Sequence, residues 1–193
     1  MNPAGGVKVL RGILLLARGK ASGIAAFGNT TEALAAAIAP LIAFPLVGSV
    51  INGLNGAPLP AIIGFLSRLC AVLAVTAATY EFARLTRRES LWIRTATALN
   101  WSFWIIVPLL GLAGLLGAIM VSAGMALPTA ENILIGMMAA YLLWFGWFTM
   151  RAGLQLSIPQ AIILVTIAAT LIVLLTIAPD VLTLAMQGHL HGV

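Results

Sequence analysis

The chain has 193 residues, of which 62% are hydrophobic and 8% charged; ten basic and five acidic side chains give a formal net charge of +5. A soluble domain carries about 25% charged residues, so this composition excludes a water-soluble enzyme, a soluble nucleic-acid-binding domain and a disordered tail. With a mean hydropathy of +1.10, it points to an all-α, polytopic bundle of transmembrane helices forming one membrane domain over residues 1–193.

The first 30 residues read as an interfacial segment. The apolar run Gly12–Ala17 is six residues long and bracketed by Arg11 and Arg18, too short for the core of a cleavable signal peptide. At about 100° per residue, Lys8, Arg11 and Arg18 fall within about 80° of one another. Val7, Leu10, Ile13, Leu14 and Leu16 occupy the rest of the circumference. That pattern predicts a short amphipathic helix lying in the interface with its cationic face to the headgroups. Gly19, Gly23 and Gly28 are then expected to loosen the chain, and Asn29-Thr30-Thr31-Glu32 reads as a capping box ahead of the first span.

Five apolar segments follow, near 33–51, 61–82, 101–121, 133–150 and 161–178. Each is long enough for a hydrocarbon core of about 30 Å at about 1.5 Å per residue. The breakers Asn52 to Pro60, Pro128, Pro159 and Pro179 separate them. No internal repeat is evident, and five spans argue against a simple duplicated transporter.

With the spans alternating, nine of the ten basic residues fall on one side: Lys8, Arg11, Arg18, Lys20, Arg84, Arg87, Arg88, Arg94 and Arg151. The connections Asn52–Pro60 and Ser122–Asn132 carry none, nor does the chain after Pro179. The positive-inside rule places the N-terminus in the cytoplasm and the C-terminus outside; the expected location is the cytoplasmic (inner) membrane. Trp92, Trp101, Trp104, Trp144 and Trp147 fit an aromatic belt on the inner side. Because the basic residues flank spans instead of clustering on a soluble face, the net charge does not indicate a nucleic-acid partner. A lone cysteine, Cys70, says nothing about redox compartment.

Arg68 is the tenth basic residue. It lies about seven residues into the second span, roughly 10 Å below the outer boundary, where a charge costs about 2.5–3.5 kcal/mol on insertion scales. It is a candidate for a ligand or ion pathway; the alternatives are outward snorkelling, or an ion pair with Glu131 or Asp180 near the outer ends of later spans. Glu81 stands about 20 Å further along the helix, beyond direct pairing with Arg68. Tyr80, Glu81, Arg84, Asn100, Ser102 and Arg151 gather at inner span ends, either as a polar vestibule or as interfacial bonds pinning helices. Of these, Glu81 and Asn100 join Arg68 and Glu131 as pathway candidates. Pro40, Pro45 and Pro108 kink the first and third spans, and Gly111, Gly114 and Gly117 supply small residues for close helix packing.

Nothing in the sequence equips a catalyst. It has no Gly-x-Ser-x-Gly, no phosphate-binding Gly-x-x-x-x-Gly-Lys and no His-Glu-x-x-His. His189 and His191 could touch a metal, but a closed zinc site needs four ligands. No cofactor, metal or enzymatic activity is expected.

The run Leu142–Leu154, with Trp144-Phe145-Gly146-Trp147-Phe148 followed by Arg151-Ala152-Gly153-Leu154, precedes Ser157-Ile158-Pro159-Gln160-Ala161 and a β-branched span. This ending resembles the last two spans of bacterial Yip1-domain proteins. The cationic start with Phe27 before the first span, and the basic stretch Arg84–Arg94 after the second, resemble that family too. Ala98-Leu99-Asn100-Trp101 resembles small alphaproteobacterial membrane proteins. The family resemblance implies five transmembrane helices and an integral membrane role. The Asp-Leu-Tyr-Gly-Pro stretch of eukaryotic members is absent, so no GTPase partner carries over. The expected function is a non-enzymatic, Yip1-like membrane protein whose partners are the lipid bilayer, another membrane protein or a second copy of itself. The alternative is a small oligomeric permease or channel for an ion or small anionic solute, with Arg68 in the pathway.

Overall fold

Hydrocarbon offers no hydrogen bonds, so the backbone of a membrane-spanning chain must satisfy itself, and helices do this within one segment. The computed structural model describes the backbone of residues 3–56 and 58–190 and the side chains of residues 6–56 and 58–179. Every regular element among them is helical. α1 (Pro3–Ala17) is followed by a 3-10 helix at Ala21–Ala26, then α2 (Thr31–Leu54), α3 (Pro58–Leu85) and α4 (Glu89–Ser102). A 3-10 turn at Phe103–Ile105 leads into α5 (Ile106–Ser122), and α6 (Leu127–Leu154) and α7 (Ile158–Leu190) complete the chain.

Five stretches are long and apolar enough to cross a membrane: Thr31–Leu54, Pro58–Leu85, Glu89–Ser122, Leu127–Leu154 and Ile158–Pro179. They contain the five apolar segments of the sequence and run past them. The largest difference is in the third, where the basic stretch expected as a connection is itself helical from Glu89. Apolarity marks the part of a helix that sits in lipid; it does not mark where the helix begins. The connection between α3 and α4 shrinks to Thr86–Arg88, with Arg87 in the left-handed region at φ 58. The 3-10 turn falls one turn ahead of Pro108, whose missing N–H leaves the Trp104 carbonyl without its helical donor.

Between residues 6 and 30 the chain packs more closely than its glycines suggest. Ile13, Leu16 and Phe27 are buried against Ala98, Ile105 and Phe145 of the bundle. A Cβ on Gly12 would lie 2.8 Å from Ala26 Cβ, and one on Gly23 would lie 2.7 Å from the Gly12 carbonyl. Gly12 and Gly23 therefore let α1 and the 3-10 helix touch; they do not loosen the segment. The Tyr141 hydroxyl donates to the Ala17 carbonyl at 3.1 Å, fastening the end of α1 to α6. α1 thus has three faces: Gly12, Ile13 and Leu16 buried, Val7, Leu10 and Leu14 exposed, and Lys8 and Arg11 exposed beside them, with Arg18 exposed in the turn that follows. The helix is docked on the bundle.

The capping box is corrected. Thr30 is the N-cap of α2, its Oγ1 accepting from the Ala33 N–H at 3.2 Å. Asn29 reaches instead to α4, where its Oδ1 accepts from the Arg94 N–H at 3.1 Å. The sequence pattern could not separate a local cap from a tertiary contact one residue earlier.

Packing is unequal along the bundle. At the end carrying the basic connections, α4 and α6 form the centre. Met150, Leu154 and Leu156 pack with Ala83, Ala161, Leu164 and Ala168, and α1 covers the other side. The Arg88 guanidinium donates to the Leu154 carbonyl at 2.7 Å, capping α6 where Gln155 turns left-handed at φ 53. The far end has few buried side chains: α5 has none.

Candidate functional site

At the basic end, the polar residues singled out in the sequence do not converge on one site; all but Ser102 are engaged by local neighbours. Glu81 forms an exposed ion pair with Arg84 at 2.7 Å. Tyr80 meets Trp92 edge-on at 4.9 Å, and Trp92 Nε1 donates to Thr79 Oγ1 at 3.3 Å. Asn100 is buried, with Nδ2 donating to the Ala96 carbonyl of its own helix at 2.8 Å. The Arg151 guanidinium carbon lies 5.4 Å from the Trp147 ring centre, beside a hollow of about 380 Å³ lined by Ala21, Phe148, Ala152, Gln155 and Leu156. Ser102 Oγ and Thr149 Oγ1 are buried without a partner among the described residues.

Arg68 is placed differently. At about 100° per residue, Ala61, Arg68, Val75 and Thr79 stay within about 40° of one another on α3. Ala61 and Thr79 are buried, and Val75 packs on the core. Ile62, Leu66 and Leu73, on the opposite face, are exposed. Arg68 therefore occupies the bundle-facing side of α3, and yet it is exposed.

The reason is an opening in the bundle. α3 is flanked by α2 and α7; on the α7 side the Ser67 hydroxyl donates to the Leu175 carbonyl. Between these flanks, the inward face of α3 is covered at the basic end by α4 through Trp92. Farther out α5 would be the natural cover, but α5 packs on α6, with Gly117 under Leu134. α5 has no extensive packing against α2 or α3, and α6 meets α3 at the basic end, where Met150 and Leu154 cluster with Ala83. Two arms result, α2–α3–α7 and α5 with the far half of α6, joined at the basic end and separated at the far end. Phe44 on α2 meets Trp104 edge-on at 5.2 Å, bridging the arms. The antiparallel α2–α3 crease sets Leu46 beside Phe65, which brings Arg68 to about the depth of Phe44. Gly64, one turn from Arg68 on the same side of α3, has open space where a Cβ would be.

Glu131 is exposed in the first two turns of α6, and no ion pair joins it to Arg68; the Arg84–Glu81 pair is the one found among the described residues. The Asp180 side chain and His191 lie outside the described residues, as does the His189 side chain. Among the described residues, no three His, Cys, Asp or Glu side chains converge as metal ligands would.

Glycine use follows the same division. At the basic end, a Cβ on Gly153 would sit 2.5 Å from Thr95, and one on Gly28 would sit 2.6 Å from Ala33. At the far end Gly48, Gly64, Gly111, Gly114 and Gly136 have nothing within 4 Å.

These features define a multi-pass α-helical membrane protein with a closed, polar-pinned end and an open, apolar one. Neither a family model, nor a curated protein, nor a solved structure matches the chain.

Sequence reasoning missed the Arg88 cap, the Asn29 tether and the cleft itself. One signal was available for the cleft: the seven-residue spacings Ala61–Arg68–Val75 place the charge on the face that later carries Thr79.

Proposed function

We propose that this chain is a non-enzymatic, Yip1-like protein of the cytoplasmic (inner) membrane that acts by packing its helices with protein or lipid partners. Its N-terminus is cytoplasmic and its C-terminus lies outside, as the distribution of Lys and Arg favours. The observation that carries the reading is the unpacked far half of the bundle, with its five open glycines inside helices. A glycine within a helix costs about 0.5–1 kcal/mol relative to alanine. In membranes that cost is offset where small residues let backbones approach closely. Gly48, Gly64, Gly111, Gly114 and Gly136 have no such neighbour among the described residues, and we assign their use to a partner outside the chain.

The test is native mass spectrometry of the full chain extracted into native nanodiscs. A stoichiometric second protein, a homo-oligomer or a retained lipid supports the reading. A bare monomer from every extraction overturns it. A second reading, an oligomeric permease for an ion or small anionic solute, is favoured by the inward placement of Arg68. It predicts solute flux in proteoliposomes that Arg68→Leu abolishes while membrane insertion stays normal.

A further inference from the structure

We propose that the far-end cleft seats an anionic phospholipid, its phosphate on Arg68 and its acyl chains along the apolar walls of α2, α3 and α5. This names one partner of the reading above and rests on it.

Charge complementarity carries the assignment. Arg68 is the only basic residue in the far half of the described chain. The segments facing the opening, Pro40–Leu54, Pro58–Ala71 and Ile106–Ser122, carry no acid. Glu131, on α6, is exposed and makes no ion pair with Arg68. A guanidinium with apolar walls and no carboxylate partner among the described residues calls for an anion.

The shape of the site selects an amphiphile over a free anion. A free phosphate drawn into the cleft would lose its water and find one guanidinium in return, which does not compensate its desolvation. A phospholipid keeps its phosphate at the polar edge and fills the apolar opening with chains that were never in water. Side chains on a helix lean toward its N-terminus, and α3 begins at the far end. Arg68 therefore leans outward, toward the headgroups, which shortens the reach to a phosphate.

The experiment uses the full chain, delipidated in mild detergent and presented with vesicles of phosphatidylglycerol and phosphatidylcholine; retained lipid is counted by native mass spectrometry. Phosphatidylglycerol is expected to stay bound in preference to phosphatidylcholine. Arg68→Gln should lower its retention by about tenfold, and Arg68→Lys should retain an intermediate amount because a lysine lacks the bidentate fork. Gly64→Leu fills the cleft while keeping the charge, and should also lower retention. Arg84→Gln, at the basic end, should leave it unchanged. Arg68→Gln removes a charge from the span, which favours insertion, and an unchanged helical circular dichroism spectrum confirms the fold. Equal retention of both lipids overturns the proposal, as does phosphatidylglycerol retention that survives both Arg68→Gln and Gly64→Leu. Displacement of the lipid by millimolar inorganic phosphate, or Arg68-dependent flux without retained lipid, overturns it in favour of a free anion. A retained protein partner with no lipid overturns the lipid seat and leaves the proposed function standing; a bare monomer overturns both.

Discussion

Gly153 and Thr95 set the distance between α6 and α4, and replacing the glycine tests the centre of the bundle. A Cβ at Gly153 would lie 2.5 Å from both Cγ2 and Oγ1 of Thr95 and 2.9 Å from its Cβ. Thr95 is fully buried, and its hydroxyl donates to the Leu91 carbonyl at 2.8 Å. As a β-branched residue in a helix it has few rotamers to move into. Overpacking of this kind costs about 1–3 kcal/mol. Alanine is a better helix residue than glycine by about 0.5–1 kcal/mol. The net expectation for Gly153→Ala is a loss of about 1–2 kcal/mol. Thr95→Ala vacates the space of Cγ2 and Oγ1, so the double variant should recover most of that loss, with a coupling of about 1 kcal/mol or more. The remaining 2.9 Å approach to Cβ keeps the recovery incomplete. Unfolding of the full chain by dodecyl sulfate titration in mixed micelles measures all four proteins. If Gly153→Ala is as stable as the parent, or the two changes simply add, α4 and α6 do not touch here and the central packing described above is wrong.

Three further outcomes follow from single contacts. Arg88→Gln removes the charged cap on the Leu154 carbonyl; the loss should be about 1–2 kcal/mol, seen as faster hydrogen exchange of the amides at residues 151–156. Tyr141→Phe deletes the bond to the Ala17 carbonyl and should cost about 0.5–1.5 kcal/mol, read as increased protease cleavage between α1 and α2 with the spans still protected. A reporter fused to the C-terminus should signal the outer side and one inserted between residues 86 and 88 the cytoplasmic side; a cytoplasmic C-terminus would remove one span from the five.

The helical class was legible because it follows from the medium. Five apolar runs of sufficient length in a chain with 8% charged residues leave few other ways to satisfy the backbone. The positions of the helix ends were less legible, for a reason visible at Glu89–Asn100. That segment contains Glu89, Arg94, Thr95, Thr97 and Asn100, reads as a polar connection, and is nonetheless helical. Its hydroxyls bond back to their own turns, Thr95 to Leu91 and Thr97 to Ile93, and its buried face is supplied by α2, α3 and α6. Tertiary cover sets the helix there, and cover is not written in the segment itself. The same holds for Asn29, whose side chain is read as a local cap until α4 is placed beside it.

The cleft was illegible for a deeper reason. In water the hydrophobic effect separates an inside from an outside, and a surface helix displays the division as an amphipathic stripe. In a bilayer both the lipid and the bundle interior are apolar, so α3 is apolar all round between Ala61 and Ala78 apart from Ser67, Arg68 and Thr76. What marks its inward face is where small and polar residues recur: Ala61, Thr79 and Ala83 are buried, and Ser67 and Thr79 bond to α7 and α4. Arg68 shares the register of Ala61 and Thr79 and not that of Ile62, Leu66 and Leu73. Had it faced lipid on the outer surface, its outward lean would account for it fully. On the inward face, in an opening that α5 leaves uncovered, a charge costing about 2.5–3.5 kcal/mol to insert needs a counter-charge that the described residues do not provide.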